Sequence, residues 1–193
     1  MRNAEFDREK VLRSAMATFM DKGYAKTSMQ DLKQATGLHP GSIYCAFDNK
    51  RGLLLAALEQ YRLDRSSEFA AFFDDDRAKL QQLKSYLDDI VEQCLRCDGH
   101  SACLLTKALS ELALHDPEIQ QVISQTLTNW QAAMAQVLQQ AQQQGELAAH
   151  KDSQQLSRFL AMGIYGLRTY GHTQPEPSVL QTLADELFEH ICR

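Results

Sequence analysis

Four side chains capable of metal binding or thiol chemistry recur at intervals of three residues near the middle of this sequence. The segment Cys-Leu-Arg-Cys-Asp-Gly-His-Ser-Ala-Cys contains Cys94, Cys97, His100 and Cys103. Cysteine and histidine are suitable ligands for zinc or Cu(I), and a thiolate near a helix N-terminus can be oxidised with a second cysteine as resolving partner. Free cysteine also packs as a small apolar residue. The segment therefore leaves a thiol sensor, a metal site and simple packing open.

The same segment is similar to the active site of a small all-helical thiol peroxidase of the alkylhydroperoxidase type. Those enzymes use a C-x-x-C pair followed by a histidine, as Cys94, Cys97 and His100 do here. The match is short, because His100 lies one residue too close and Gln82 stands where a glutamate is expected. We keep this enzyme as the alternative function. A second C-x-x-C or an H-x-x-x-H is absent from the sequence, so the metal site is the least favoured of the three interpretations, and we assign no metal ligands and no cofactor.

Apolar residues recur at helical spacing along most of the chain, which predicts an all-α fold. The four prolines lie where helices can begin, as in Asp116-Pro117-Glu118. We expect about nine helices, one of them over residues 101–114. The first three form a helix-turn-helix head, which we place at residues 1–50 with the start of a linking helix. Residues 51–193 are expected to form a larger helical body for effector binding and dimerisation.

The charges are unevenly distributed along the chain. The whole sequence has a net charge of −5, whereas its first 60 residues carry nine Lys and Arg against seven Asp and Glu. A mildly basic head on an acidic body is consistent with local phosphate contact by the head. The sequence contains neither a secretory signal nor an apolar run long enough to span a bilayer. We therefore expect a cytoplasmic protein without a membrane partner.

Residues 27–54 carry the most specific pattern in the sequence. Two short helices separated by a glycine turn follow a first helix that ends in an aromatic residue and glycine, which is typical of a helix-turn-helix. This pattern resembles the DNA-binding head of the TetR family of transcriptional regulators over residues 7–60. The matching residues are Phe19, Gly23, Thr27, Ser28, Leu32, Ala35, Gly37, Gly41, Ser42, Ile43, Tyr44, Phe47, Lys50 and Leu53.

The resemblance implies a DNA-binding role for eight residues of the head. Thr27 and Ser28 are expected to meet phosphate at the start of the second helix, where backbone N–H groups favour an anion. Tyr44 and Lys50 are expected to contact the phosphate backbone as well. The positions expected to meet base edges are His39, Pro40, Gly41 and Ser42. The expected partner is a palindromic operator duplex bound by a homodimer.

The resemblance also assigns dimerisation and effector binding to the later helices. The expected dimer contact contains Phe159, Ile164, Leu167, Leu183, Leu187 and Ile191. An unknown small-molecule effector is expected near Trp130, Met134, Phe159, Tyr165 and Arg168, although an aromatic stripe at helical spacing is also typical of a core. The segment Ala-Cys-Leu-Leu at Cys103 looks like that of redox sensors in the family.

The sequence as a whole predicts a DNA-binding transcriptional regulator and not an enzyme. The short architecture, which contains no further activating domain, favours repression. We expect it to release operator DNA when it binds a small effector or when its thiols are oxidised.

Overall fold

Eight helices make up most of the part of the chain that the structure describes. This structure is a computed structural model, and it describes residues 6–96, 111–112 and 116–192. The helices are α1 (Arg8–Lys22), α2 (Met29–Thr36), α3 (Pro40–Phe47), α4 (Lys50–Phe72), α5 (Lys79–Arg96), α6 (Pro117–Gln143), α7 (Ser153–Gly171) and α8 (Pro177–Cys192). The prediction of an all-α fold is confirmed. The further helix expected over residues 101–114 falls outside the described residues except for positions 111–112, which are helical.

Side-chain caps fix the beginnings of several helices. Asp7 accepts a hydrogen bond from the N–H of Lys10 at 3.0 Å and begins α1. Asp152 accepts from two backbone N–H groups at the start of α7. A carboxylate at this position satisfies donors that have no partner within the helix. Asp7 and Asp152 therefore determine where α1 and α7 begin.

The described residues divide into two compact units. The first unit comprises described residues within 1–65 and 102–124, and the second comprises those within 66–101 and 125–193. The boundary expected after residue 50 falls inside α4, because that helix continues to Phe72.

The core of the first unit supports the two short helices. Leu32 is the buried residue of α2, and Ile43 and Phe47 are the buried residues of α3. Phe19 of α1 is also buried. An eight-residue helix is marginal in water by itself, so this shared apolar core is what holds α2 and α3 in place.

Two glycines in the first unit leave room for a close neighbour, which is a side chain at Gly23 and the backbone at Gly52. Gly23 ends α1 with φ of +80°, and a Cβ atom there would come within 2.2 Å of a carboxylate oxygen of Glu111. A Cβ atom at Gly52 would lie 2.0 Å from the carbonyl oxygen of Phe47. Glycine at position 52 therefore lets the end of α3 pack directly on the first turn of α4.

An ion-pair cluster joins the start of α4 to the start of α6 within the first unit. The Arg51 guanidinium donates hydrogen bonds to both oxygens of Asp116, at 2.5 and 2.8 Å, and to Glu118 at 2.5 Å. Asp116 also caps α6 by accepting from the N–H of Ile119 at 3.2 Å. The bond from Arg51 holds the pKa of the Asp116 carboxyl at about 2, below its usual 3.8.

The second unit contains a separate apolar core that α5, α6, α7 and α8 share. Among its fully buried members are Leu83, Ile90, Leu138 and Leu160. No helix in the described ranges has the length and apolar character that a bilayer crossing requires.

We predict that Asp116→Asn makes the protein less stable at pH 7, and that this loss disappears in acid. Asparagine is as good a helix cap as aspartate, so the substitution removes mainly the charge that Arg51 contacts. The folded-state pKa of Asp116 is depressed, so its contribution is present above about pH 4 and is lost as the pH falls towards 2.

Urea unfolding of both proteins at several pH values measures this difference. A stability difference that remains the same from pH 7 to pH 3 would contradict the assigned ion pair.

Candidate nucleic-acid interface

The turn between α1 and α2 is closed by Thr27. Its side chain is 1% exposed, and its hydroxyl donates a hydrogen bond of 2.6 Å to the carbonyl oxygen of Gly23. The N–H of Thr27 donates to the same oxygen at 3.2 Å. The Thr27 hydroxyl is therefore buried and bonded within the turn, and this geometry does not support the predicted phosphate contact.

A capping box occupies the start of α2. The Ser28 hydroxyl accepts from the N–H of Asp31 at 3.2 Å, and the Asp31 carboxylate accepts from the N–H of Ser28 at 2.8 Å. Lys22 donates to the same carboxylate at 2.6 Å, and this bond, with those from Ser28, holds the pKa of Asp31 well below its usual range. Ser28 is exposed, but a phosphate at this helix end would lie beside a carboxylate.

The third helix presents an exposed polar face. His39 caps α3 by accepting a hydrogen bond at Nδ1 from the N–H of Gly41 at 3.3 Å, and Pro40 is the first helical residue. Gly41, Ser42 and Tyr44 are exposed, and Tyr44 shows 49% of its surface. Since Ile43 and Phe47 hold the opposite face in the core, α3 has the orientation that a recognition helix needs.

Lys50 is engaged inside the protein. Its ammonium group donates to the carbonyl oxygens of Tyr24 and Thr27, each at 2.8 Å, and lies 4.4 Å from the centroid of the Tyr24 ring. Burial raises the pKa of the Tyr24 hydroxyl. The sequence pattern predicts that Lys50 contacts phosphate. In this geometry its side chain connects α4 to the α1–α2 turn by hydrogen bonds.

Glu111 supports the same turn, Arg51 anchors the start of α4 next to Lys50, and no sequence pattern indicated either residue. Glu111 accepts a hydrogen bond from the N–H of Ala25 at 3.1 Å. Arg51 is the neighbour of Lys50 in α4 and forms the ion pairs described above. Their partners are 65 to 86 residues away along the chain, so no local pattern indicates them.

The residues predicted to bind an effector lie in the second unit. The Trp130 indole N–H donates to the Tyr86 hydroxyl at 3.2 Å, and its ring contacts Tyr165 edge to face at 5.7 Å between centroids. Met134 is fully buried in the core. Arg168 donates to the side-chain oxygen of Gln93 at 3.3 Å.

Of the four cysteine and histidine side chains in this segment, only that of Cys94 lies within the described residues. Cys94 is half-buried, packs against the core of the second unit, and has its sulfur 3.9 Å from the carbonyl oxygen of Leu167. Cys97, His100 and Cys103 lie outside the described residues. The sensor, metal and packing interpretations of this segment stay predictions.

Most of the residues predicted for the dimer contact are covered by the protomer itself. The four residues that are members of its own core are Ile164, Leu167, Leu187 and Ile191. Phe159 is half-buried, and its ring lies 4.4 Å from the ring of His190. Leu183 is 40% exposed and remains available to a partner.

A three-helix core with an exposed third helix defines this chain as a helix-turn-helix DNA-binding protein. Residues 11–57 match the family model "Bacterial regulatory proteins, tetR family", and residues 79–184 match "Tetracyclin repressor-like, C-terminal domain". The chain belongs to the TetR family of bacterial regulatory proteins, and it is a DNA-binding regulator of transcription.

Two curated relatives align with most of the chain. It is 30% identical over 164 residues to the HTH-type transcriptional repressor ComR of Escherichia coli (strain K12), covering 84% of this chain and 78% of ComR. It is 26% identical over 182 residues to the transcriptional regulator AcuR of Cereibacter sphaeroides, covering 91% of this chain and 81% of AcuR.

Solved structures of two regulators share the fold. A TetR transcriptional regulator from Chloroflexus aurantiacus J-10-FL superimposes with a TM-score of 0.83 at 23% identity, over 95% of this chain and 93% of that one. A cysteine mutant of the TetR family regulator CifR, complexed with 26-bp double-strand operator DNA, gives 0.84 at 22% identity over 98% of each chain. These relatives favour a regulator over the thiol peroxidase.

We predict that Lys50→Met weakens DNA binding without changing its dependence on salt. A lysine that neutralises a phosphate contributes about one unit to the slope of log K against log salt. Lys50 instead satisfies two carbonyl groups, whose loss costs about 1–3 kcal/mol of stability. We therefore expect a lower melting temperature and an unchanged salt slope.

Lys33→Met is the matched control, because it removes the same charge from an exposed position of α2. It is expected to leave the melting temperature unchanged. A salt slope that falls by about one unit in Lys50→Met would mean that Lys50 contacts phosphate after all.

Proposed function

We propose that this chain is a cytoplasmic homodimeric repressor that binds a palindromic operator and releases it when the second unit receives a signal. The observation that carries the proposal is the exposed face of α3, where Ser42 and Tyr44 stand opposite the buried Ile43 and Phe47. The name of ComR, a transcriptional repressor of which this chain covers 78%, supports repression.

The proposed DNA surface is smaller than the set of eight residues predicted from the family pattern. Within it, His39, Gly41, Ser42 and Tyr44 are exposed, and Pro40 starts the helix between them. Thr27 and Lys50 hold the turn that sets the position of α2. We propose that they act on DNA binding through this turn.

The proposed dimer surface consists of the exposed residues of α7 and α8. Met162, Gly166 and Tyr170 are spaced by four residues on α7, and Val179 and Leu183 are likewise spaced by four on α8. Met162 is 62% exposed. Because apolar residues at this spacing form one stripe on each helix, two copies can bury the stripes against each other in a twofold contact.

The proposed signal reaches the head through the start of α6. Trp130 lies on α6 in the second unit, and Asp116 and Glu118, at the beginning of the same helix, are bonded to Arg51. A ligand near Trp130 or a modified thiol in the cysteine segment can release DNA only if it stabilises one conformation of the protein over another, and we propose that the Arg51 ion pairs differ between the two. The nature of the signal stays a prediction from the family pattern.

We predict that Tyr44→Phe weakens binding to every DNA sequence by a similar factor. Loss of one hydrogen bond to a charged phosphate, worth about 1.5–3 kcal/mol, corresponds to roughly a ten- to hundredfold change per head. The measurement is fluorescence anisotropy with labelled duplexes of about 30 base pairs, which can hold two half-sites one turn apart. Several unrelated duplex sequences are compared.

Ser67→Ala is the control, because it also removes a single hydroxyl group, from an exposed position in the second unit that lies outside the proposed DNA and dimer surfaces. It is expected to bind DNA as the native chain does. Equal affinities for the native chain and Tyr44→Phe would remove Tyr44 from the DNA surface.

We predict that Leu183→Glu converts the dimer into a monomer at micromolar concentration. A carboxylate in the middle of an apolar contact must be buried without a partner, which opposes association. Sedimentation equilibrium measures the change in mass. Gln139→Glu adds the same charge at an exposed position of α6 and is expected to remain dimeric; a dimeric Leu183→Glu protein would place the interface elsewhere.

A further inference from the structure

We infer that His39 determines base specificity, and that its Nε2–H group donates a hydrogen bond to guanine in the major groove. The inference rests on the proposed binding of α3 to operator DNA and adds the chemical identity of one base that it recognises.

The cap fixes which ring nitrogen of His39 carries the proton. Nδ1 accepts a hydrogen bond from the N–H of Gly41 at 3.3 Å, and a nitrogen that accepts in this way must present a lone pair. In the neutral ring the proton is then on Nε2. The other side of the ring is therefore a hydrogen-bond donor as long as the cap is in place.

His39 occupies the end of α3 that meets base edges in helix-turn-helix proteins. In such proteins the N-terminal residues of the recognition helix contact the bases. The side chain is exposed, as are Gly41 and Ser42 beside it. A Cβ atom at Gly41 would meet no described heavy atom within 4 Å other than Nδ1 of His39, at 3.6 Å, so the backbone at this end of α3 can approach a base pair closely.

A group that only donates favours guanine, the one base that offers it two adjacent acceptors and no neighbouring donor or methyl group. Guanine presents two adjacent acceptors, N7 and O6, in the major groove. Adenine places its amino donor beside N7, thymine places its methyl group beside O4, and cytosine presents a donor. The neighbouring Ser42 hydroxyl both donates and accepts, so it does not make the same distinction.

The experiment starts with selection of duplexes from a randomised DNA library by the native chain. The selected duplex contains G·C base pairs that are related in twos by the twofold symmetry. The two members of each such set are then replaced together, one set at a time, by A·T or by inosine·C. Inosine keeps the N7 and O6 acceptors, whereas adenine replaces O6 by a donor. Affinities are measured for the native chain and for His39→Ser.

His39→Ser preserves the helix cap and removes the side-chain donor that is proposed to contact a base. Serine is a strong helix cap, so an unchanged melting temperature is expected, and its short side chain does not extend from the cap to a base. For the native chain, A·T at one symmetric guanine pair is expected to weaken binding roughly tenfold, with inosine tolerated. For His39→Ser, both replacements at that pair are expected to bind like the guanine duplex.

Three other outcomes overturn the inference. The first is that His39→Ser discriminates guanine from adenine as strongly as the native chain does. The second is that no guanine pair in the selected duplex shows the loss with adenine and tolerance of inosine. The third is that the library yields no enriched duplex, which would overturn the proposed function as well, whereas the first two outcomes leave DNA binding intact.

Discussion

The ammonium group of Lys50, shared between the carbonyl oxygens of Tyr24 and Thr27, is the contact on which the DNA-facing surface depends. It fixes the α1–α2 turn to the first turn of α4. Two residues further along α4, Gly52 lets the carbonyl oxygen of Phe47 approach closely. The end of α3 is thereby held against the first turn of α4. The beginning of α2 and the end of α3 are therefore both held by the same turn of α4.

The net charge of the head is a poor guide to its DNA binding, because several of its basic residues are engaged within the protein. Lys22, Lys50 and Arg51 are basic residues of the first 60, and each is engaged within the protein by a carboxylate or by carbonyl groups. Net charge therefore overstates the cationic groups that are ready to meet phosphate. The polar exposed face of α3 and its neutral donors therefore carry the proposed base recognition, whereas salt-dependent affinity depends on the cationic groups that remain exposed.

Local patterns predicted the helices well because caps and periodicity act within a few residues. Pro40, Pro117 and Pro177 are each the first residue of a helix, as the sequence predicts for its prolines. The roles of Thr27 and Lys50 depend on which neighbours surround them, which a family pattern does not specify. In the same way, the spacing of Ile164 and Leu187 identifies a buried stripe, but not whether the protomer or its partner covers it. Contacts between distant residues, such as Glu111 with Ala25, leave no local signal.

The most direct test of the central claim, that the opening helices form a DNA-binding head, is the affinity of the full native chain for duplex DNA at increasing salt concentration. The account predicts a linear fall of log K with log salt, with a slope that corresponds to several phosphate contacts for the two heads of a dimer. Binding that does not change with salt, or no binding to duplex DNA at low salt, would contradict it.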